Sequence, residues 1–290
     1  MNSPVSPLRA RADADRANLK RRYPASFRAP LLARLLPPVT VALATALAVY
    51  ALWRFGFSPE KFIDGLGKLG IVVGLMIPPS PGNQLWNYVG ALGETLSIAF
   101  LGTLGAAILA LPVSMLAAKN VVANRIIHIA SRRFLDTIRG VDTLIWALIW
   151  INVVGLGPFA GILAILTSDF GTFGKLFSEA IEAADKKPVD GVLSAGGSDL
   201  QGFRFGVLPQ VLPVLLSQVL YYFESNTRSA TIIGIVGAGG IGLYLANEIA
   251  QAEWPQVAFL ILMILVTVST IDWLSGKIRF AVIGTQGRTA

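Results

Sequence analysis

The chain reads as an all-α, polytopic membrane helical bundle of about six transmembrane helices, and three observations predict this. Of its 290 residues, 54% are hydrophobic and 14% are charged, and a mean hydropathy of +0.63 gives more apolar surface than a soluble core of this size buries. Charge-free windows long enough to cross a bilayer recur along the sequence. The 24 lysines and arginines flank those windows and form no single patch interleaved with aromatics. They therefore read as topology signals and not as nucleic-acid contacts.

The segment 1–34 is polar and basic, with no apolar stretch near its start of the kind a cleavable signal peptide has. It is expected to be a cytoplasmic basic N-terminal segment, followed at 35–56 by an uncleaved anchor helix. An extracytoplasmic loop, 57–88, follows. There Phe62, Leu66, Leu69 and Val73 fall at helical spacing opposite Lys61 and Lys68, which reads either as an amphipathic helix on the outer surface or as an ordered loop. Pro78, Pro79 and Pro81 end it.

The core is expected over 89–277, with apolar windows at 95–118, 143–168, 205–223, 229–247 and 254–271, and a short cytoplasmic tail over 278–290. Gly155, Leu156, Gly157 and Pro158 make a turn signal inside the second of these windows, splitting it into helices over 137–155 and 158–177. The window 229–247 is rich in glycine and is expected not to cross. With six spans, both termini cytoplasmic, 20 of the 24 cations lie inside; only Arg54, Lys61, Lys68 and Arg228 lie outside. This is the bias that short cytoplasmic loops carry, and it places the chain in a bacterial inner membrane.

There is no cysteine and only one histidine, His128, which removes disulfides, thiolate chemistry, clustered metal ligands and a catalytic triad. No cofactor is expected. No G-x-x-x-x-G-K-[ST] occurs, so any ATP must be handled by a partner.

The segment 190–213, DGVLSAGGSDLQGFRFGVLPQVLP, lies between the fourth and fifth expected spans. Gly196 and Gly197 permit a sharp turn, Ser198 or Asp199 can cap a short helix, and Leu200 and Phe203 can present an apolar knob to a groove. Read from loop chemistry alone, it is equally a polar loop that happens to contain Gly, Ser and Asp. The segment resembles the EAA loop of ABC importer permeases: Gly196, Leu208 and Pro209 match the glycine to Leu-Pro spacing, while Asp190 stands for the Glu and Gly191 and Val192 for the two alanines. The resemblance implies an ATPase-coupling loop over 190–209, carried by Asp190, Gly196, Gly197, Ser198, Asp199, Leu200, Phe203, Leu208 and Pro209.

A second motif, ESNTRSATIIGIVGAGGIG, runs over 224–242. Gly237, Gly239 and Gly242 satisfy the dinucleotide fingerprint, and 232–236 could pass for a strand. A Rossmann unit also needs a further strand and a ribose-binding acid about 20 residues on; an apolar span follows instead. The stretch resembles the RSA...GIVGAGGIG segment of phosphonate and methionine permeases, which implies irregular backbone near a substrate pathway, with Glu224, Asn226, Arg228, Ser229, Gly237, Gly239 and Gly240 as its residues. Arg228, placed on the outer side just after the fifth span, either attracts an anion at the outer mouth or pairs with Glu224 four residues back.

The stretch 94–182 also resembles the core of phosphonate permeases, with Val141 and Asp142 where that family has Pro-Glu. Together the resemblances cover about 85–285. They imply the permease subunit of an ATP-driven importer of phosphonate-type anions that works by alternating access. Its partners would be a second copy in a homodimer, two cytoplasmic ATP-binding subunits and an extracytoplasmic substrate-binding protein. Alternatives are a permease for phosphate, phosphite or an amino acid such as methionine, and, from another class, an integral-membrane enzyme, which would need clustered His or acids at one depth. Gly102, Ala106 and Ala110 read as a packing ridge. Glu94, Asp142 and Asp169 are functional candidates by the cost of an acid in the membrane, but they fall near expected helix ends, where interfacial water is the commoner explanation.

Overall fold

The structure is a computed structural model that describes residues 31–122 and 124–284, together with 15, 16, 18 and 20–23. Most of the expected basic segment 1–34 and the end of the expected tail 278–290 lie outside the described residues. Every regular element among the described residues is helical. The chain divides into two units at Ile71 and Val72.

The first unit holds α1 (Leu31–Arg54) and most of α2 (Pro59–Leu75). α1 is a nearly charge-free apolar helix that holds Pro37 and Pro38 in its interior, where each removes one backbone hydrogen bond. The segment after it is the amphipathic helix and not the irregular loop: Pro59 opens α2, and Phe62, Leu66, Leu69 and Val73 are exposed.

The second unit is the helical core. α3 (Leu85–Ala117) is followed by α4 (Arg125–Arg139), which starts where the Asn124 side chain accepts from the backbone of Ile126. Asp142 caps α5 (Thr143–Val154) by accepting from Leu144 N at 2.8 Å. Gly155 and Gly157, at φ +92° and +130°, then reverse the chain, and Pro158 opens α6 (Pro158–Glu182). This is the hairpin expected at 155–158. After it come α7 (Lys186–Ser194), a single turn at Asp199–Gln201, a wide π-helical turn at Gly202–Val207, α8 (Leu208–Ile235), α9 (Ile241–Ala250) and α10 (Trp254–Gly284).

Helix α3 packs along α6 through small residues. Ala106 and Ala110 are fully buried, and a Cβ on Gly102 would stand 2.7 Å from Ile165 Cβ, so the ridge read from the sequence is a packing surface. Lipid tails are as apolar as leucine, so close backbone approach and dispersion, rather than transfer from water, hold such a pair. Phe173 and Phe177 of α6 extend the seam toward Val207, Val211 and Leu215.

Five described helices are long and apolar enough to cross a membrane, and α4 with α5 makes a sixth if that bent pair is one span. Two expectations are corrected. The third span was read as 137–155, yet α5 has 12 residues, rises about 18 Å and meets α4 at 85°, so it is too short to cross alone. The fifth span was read as ending at Phe223, yet α8 runs on to Ile235; charges at Glu224 and Arg228 truncated the apolar window although the helix accommodates both. The outer count of cations thus loses Arg228. The window 229–247 divides among the end of α8, a glycine turn and the 10-residue α9, too short to cross.

Candidate functional site

The expected coupling segment is built by local chemistry. α7 ends in a Schellman arrangement: Gly196, at φ +87°, donates to Leu193 O at 3.0 Å and Gly197 donates to Val192 O at 3.0 Å. Ser198 then begins the next turn as a capping box with Gln201. Ser198 is therefore the cap, and Asp199 occupies the first helical position. A Cβ on Gly206 would meet Val189 Cα at 2.8 Å, so α7 lies directly on the wide turn. Pro209 stands in the first turn of α8, as expected.

The two anchors expected to point outward diverge. Leu200 is 74% exposed, whereas Phe203 packs partly against the Phe173 and Phe177 cluster. The reading of both as one outward knob is corrected: Phe203, in the wide turn Gly202–Val207, packs back on the core, and of the two only Leu200 projects. Phe205, 60% exposed with Arg204 against its ring at 5.5 Å, joins Leu200 at the surface. Sequence reading also missed Gln210, whose amide donates to Asp185 O at 3.0 Å and whose carbonyl accepts from Asp185 N at 3.0 Å. A glutamine directly after Leu-Pro was the available signal. Asp190 is exposed on α7 and Leu208 opens α8.

The second set of residues occupies α8 and the turn beyond it. Glu224 is buried and lies between Arg228, at 3.5 Å, and Arg279 of α10, at 3.0 Å. One carboxylate faces two guanidiniums, leaving a local excess of one positive charge, and the Arg228 side chain is half exposed. Arg279 also lies 5.7 Å from the Tyr221 ring. The ion pair read as an alternative for Arg228 is present, and Arg228 lies within α8 rather than beyond it. Arg279, expected on the opposite side of the membrane from Arg228, shares its carboxylate; no local pattern revealed it, because the partners are 55 residues apart.

Two residues on, and so nearly on the opposite face of the helix, buried Asn226 donates to Asp169 Oδ2 and to Thr103 Oγ1, the latter at 2.8 Å. Asp169 is buried in mid-α6 and is not an interfacial residue near a helix end, which corrects that expectation. Glu94 likewise lies inside α3, accepting from Gly240 N at 2.8 Å, while Asp142 is a helix cap as its position suggested.

Gly237, Gly239 and Gly240 all have positive φ. Their turn is sealed by Glu94, by Thr95 Oγ1, which accepts from Ile241 N at 2.8 Å, and by Gly157, which donates to Gly237 O at 3.0 Å. The residues 232–236 that resembled a strand continue the helix or end it. Ser229 donates only within α8, to Ser225 O at 3.4 Å. The glycine turn and the Glu224 cluster are thus both tied to α8 but make no shared contact.

Residues 110–281 match the family described as the binding-protein-dependent transport system inner membrane component. The permease protein HtxC of Stutzerimonas stutzeri is 38% identical over 227 residues, which cover 78% of this chain and 80% of that protein. The phosphite transport system permease protein PtxC of the same organism is 33% identical over 241 residues, covering 82% and 87%. Among solved structures, the inward-facing MetNI methionine ABC transporter in its CY5 native crystal form has a chain of the same fold, with a TM-score of 0.61 at 20% identity over 70% of this chain and 99% of that one. The matched region holds the α7 to α8 turn, the Glu224 cluster and the glycine turn together, and it implies ATPase and substrate-binding partners. The chain belongs to the binding-protein-dependent transport system inner membrane component family, as the multi-pass membrane subunit of an ABC importer.

Proposed function

We propose that this subunit passes a phosphonate-type oxyanion of phosphorus, phosphite included, toward the cytoplasm, as one half of a homodimeric pathway. The observation that carries the reading is the continuity of α8. Its 28 residues, about 42 Å of helix, follow the capped turn bearing Leu200 through the wide turn Gly202–Val207 and carry Glu224 and Arg228. A displacement at the turn is transmitted along the rod to the cationic cluster, which is what coupling ATP hydrolysis to anion movement requires. Two ATP-binding subunits would engage the 196–208 segments, and an extracytoplasmic binding protein would deliver the anion. ATP is bound by those partners and not by this chain.

Arg228 is the residue that tests the anion path. Glu224 keeps Arg279 as its partner when Arg228 is neutralised, so the helix pair retains its buried ion pair. Arg228→Gln is expected to leave the complex assembled and to slow uptake of phosphite or a phosphonate by about tenfold at limiting substrate, the scale set by one lost charge-assisted contact. Unchanged uptake, or loss of assembly, removes Arg228 from the path.

We infer that both termini are cytoplasmic, the side favoured by the charge distribution, which requires the bent α4–α5 pair to make one pass. The absence of native cysteine makes this directly measurable with Ala10→Cys and Gly287→Cys: both are expected to resist a membrane-impermeant maleimide in intact cells and to react after lysis. Labelling of the two from opposite sides overturns the topology.

A further inference from the structure

Away from α8, the amphipathic helix α4 and the loop before it enclose two adjoining cavities that no transport step uses. One, of about 210 Å³, is lined by Lys119, His128, Arg132, Arg133, Asp136 and Lys175 among others. The other, of about 400 Å³, shares Lys119 and His128 with it and adds Arg125. Five cations therefore line the two neighbouring cavities.

Their neutralisation is incomplete. Asp136 is shared by Lys175, at 2.9 Å, and Arg133, at 3.6 Å. Glu182 takes Arg132, at 2.9 Å. Lys119 and Arg125 have no ion pair among the described residues. The second observation is His128, only 8% exposed, whose Nδ1 has no hydrogen-bond partner. That nitrogen is covered by the protein itself, so His128 lines the two cavities with the rest of its ring.

The surroundings suit a headgroup. Ile126, Ile129 and Phe134 of α4 are exposed, so the helix presents apolar side chains beside its cations, and it turns away from α5 at 85°. Such a basic amphipathic helix at a bilayer surface buries its apolar side among acyl chains and holds its cations at headgroup level. Asn120 and Val121, next to Lys119, line the groove that also contains Leu200 and Phe203, so the cavity adjoins the coupling segment.

We infer that the cavity pair lined by Lys119, Arg125, His128 and Arg132 binds an anionic phosphate group, supplied by an acidic phospholipid headgroup or by free inorganic phosphate. Guanidinium and ammonium donors match phosphate oxygens, and the histidine contributes a ring nitrogen.

The test uses the full chain in nanodiscs of equal phosphatidylglycerol and phosphatidylcholine, with bound lipid read by native mass spectrometry. A second arm measures equilibrium binding of inorganic phosphate in lipid-free detergent. The wild type is expected to retain phosphatidylglycerol selectively, and the Lys119→Gln, Arg125→Gln double variant to lose about thirtyfold in that preference. Neither side chain has an ion pair to lose, so helicity by circular dichroism should not change. The charge-preserving Lys119→Arg, Arg125→Lys variant should behave as the wild type. Saturable phosphate binding that the Gln variant loses, without lipid preference, assigns the site to free phosphate. Neither preference nor phosphate binding in the wild type, or either one surviving undiminished in the Gln variant, overturns the site.

Discussion

Leu200→Asp is expected to abolish stimulation of ATP hydrolysis by loaded binding protein in the reconstituted transporter. Leu200 is 74% exposed on a turn fixed at both ends, so its replacement disturbs no packing within the chain, while burial of a carboxylate in a partner's apolar groove is prohibitive. Apolar anchors of this kind contribute about 2 kcal/mol or more to an interface, so losing one lowers occupancy more than tenfold. Phe205→Asp should act in the same direction. Phe203→Asp is a different experiment, since that ring packs partly against the Phe173 and Phe177 cluster and its loss also loosens the fold. Normal stimulation and transport in a Leu200→Asp, Phe205→Asp double variant would remove the coupling role from 196–208.

The second large effect is expected at Gly242. A Cβ there would overlap the Thr231 carbonyl oxygen and stand 2.9 Å from Ile235 N, and one on Gly234 would stand 2.5 Å from Gly239 O. Helices α8 and α9 cross backbone to backbone at this point, and neither has a flexible side chain that could yield. Gly242→Ala should cost about 3 kcal/mol or more, within reach of a membrane protein's whole margin. The measurement is the yield of monodisperse protein and its melting temperature in detergent. Wild-type values would show that the crossing can open. A Ser229→Ala control, which removes only a 3.4 Å bond within α8, should be neutral.

What the sequence made legible was local. The Gly196 turn, the Ser198 cap, the 155–158 hairpin and the Pro209 helix start each depend on residues within a few positions of one another. What it hid was set by distant partners. Charge-free windows miss spans whose charges are paired; Glu224 finds Arg279 55 residues away and Asp169 finds Asn226 57 residues away, so the fifth helix was cut short and buried Asp169 was read as interfacial. Gly140 and Asp142 signal the break between α4 and α5, but not its 85° angle, because the largely apolar sequence of α5 does not indicate a direction. Phe203 was misjudged through distant partners as well, since the cluster it packs against holds Phe173 and Phe177 of another helix.

The closure of the α7 to α8 turn has a kinetic meaning. Gly196 and Gly197 end one helix, Ser198 and Gln201 start the next, and Gln210 bonds the beginning of α7 to that of α8. Under the proposed coupling role, Leu200 is thereby held already ordered for docking. Little backbone entropy is left to lose on docking, so the encounter need not wait for a slow rearrangement and can proceed at the rates of rigid surfaces, roughly 10⁵–10⁷ M⁻¹s⁻¹. Differences in affinity among variants of this surface should therefore lie in how long the ATPase stays rather than in how fast it arrives.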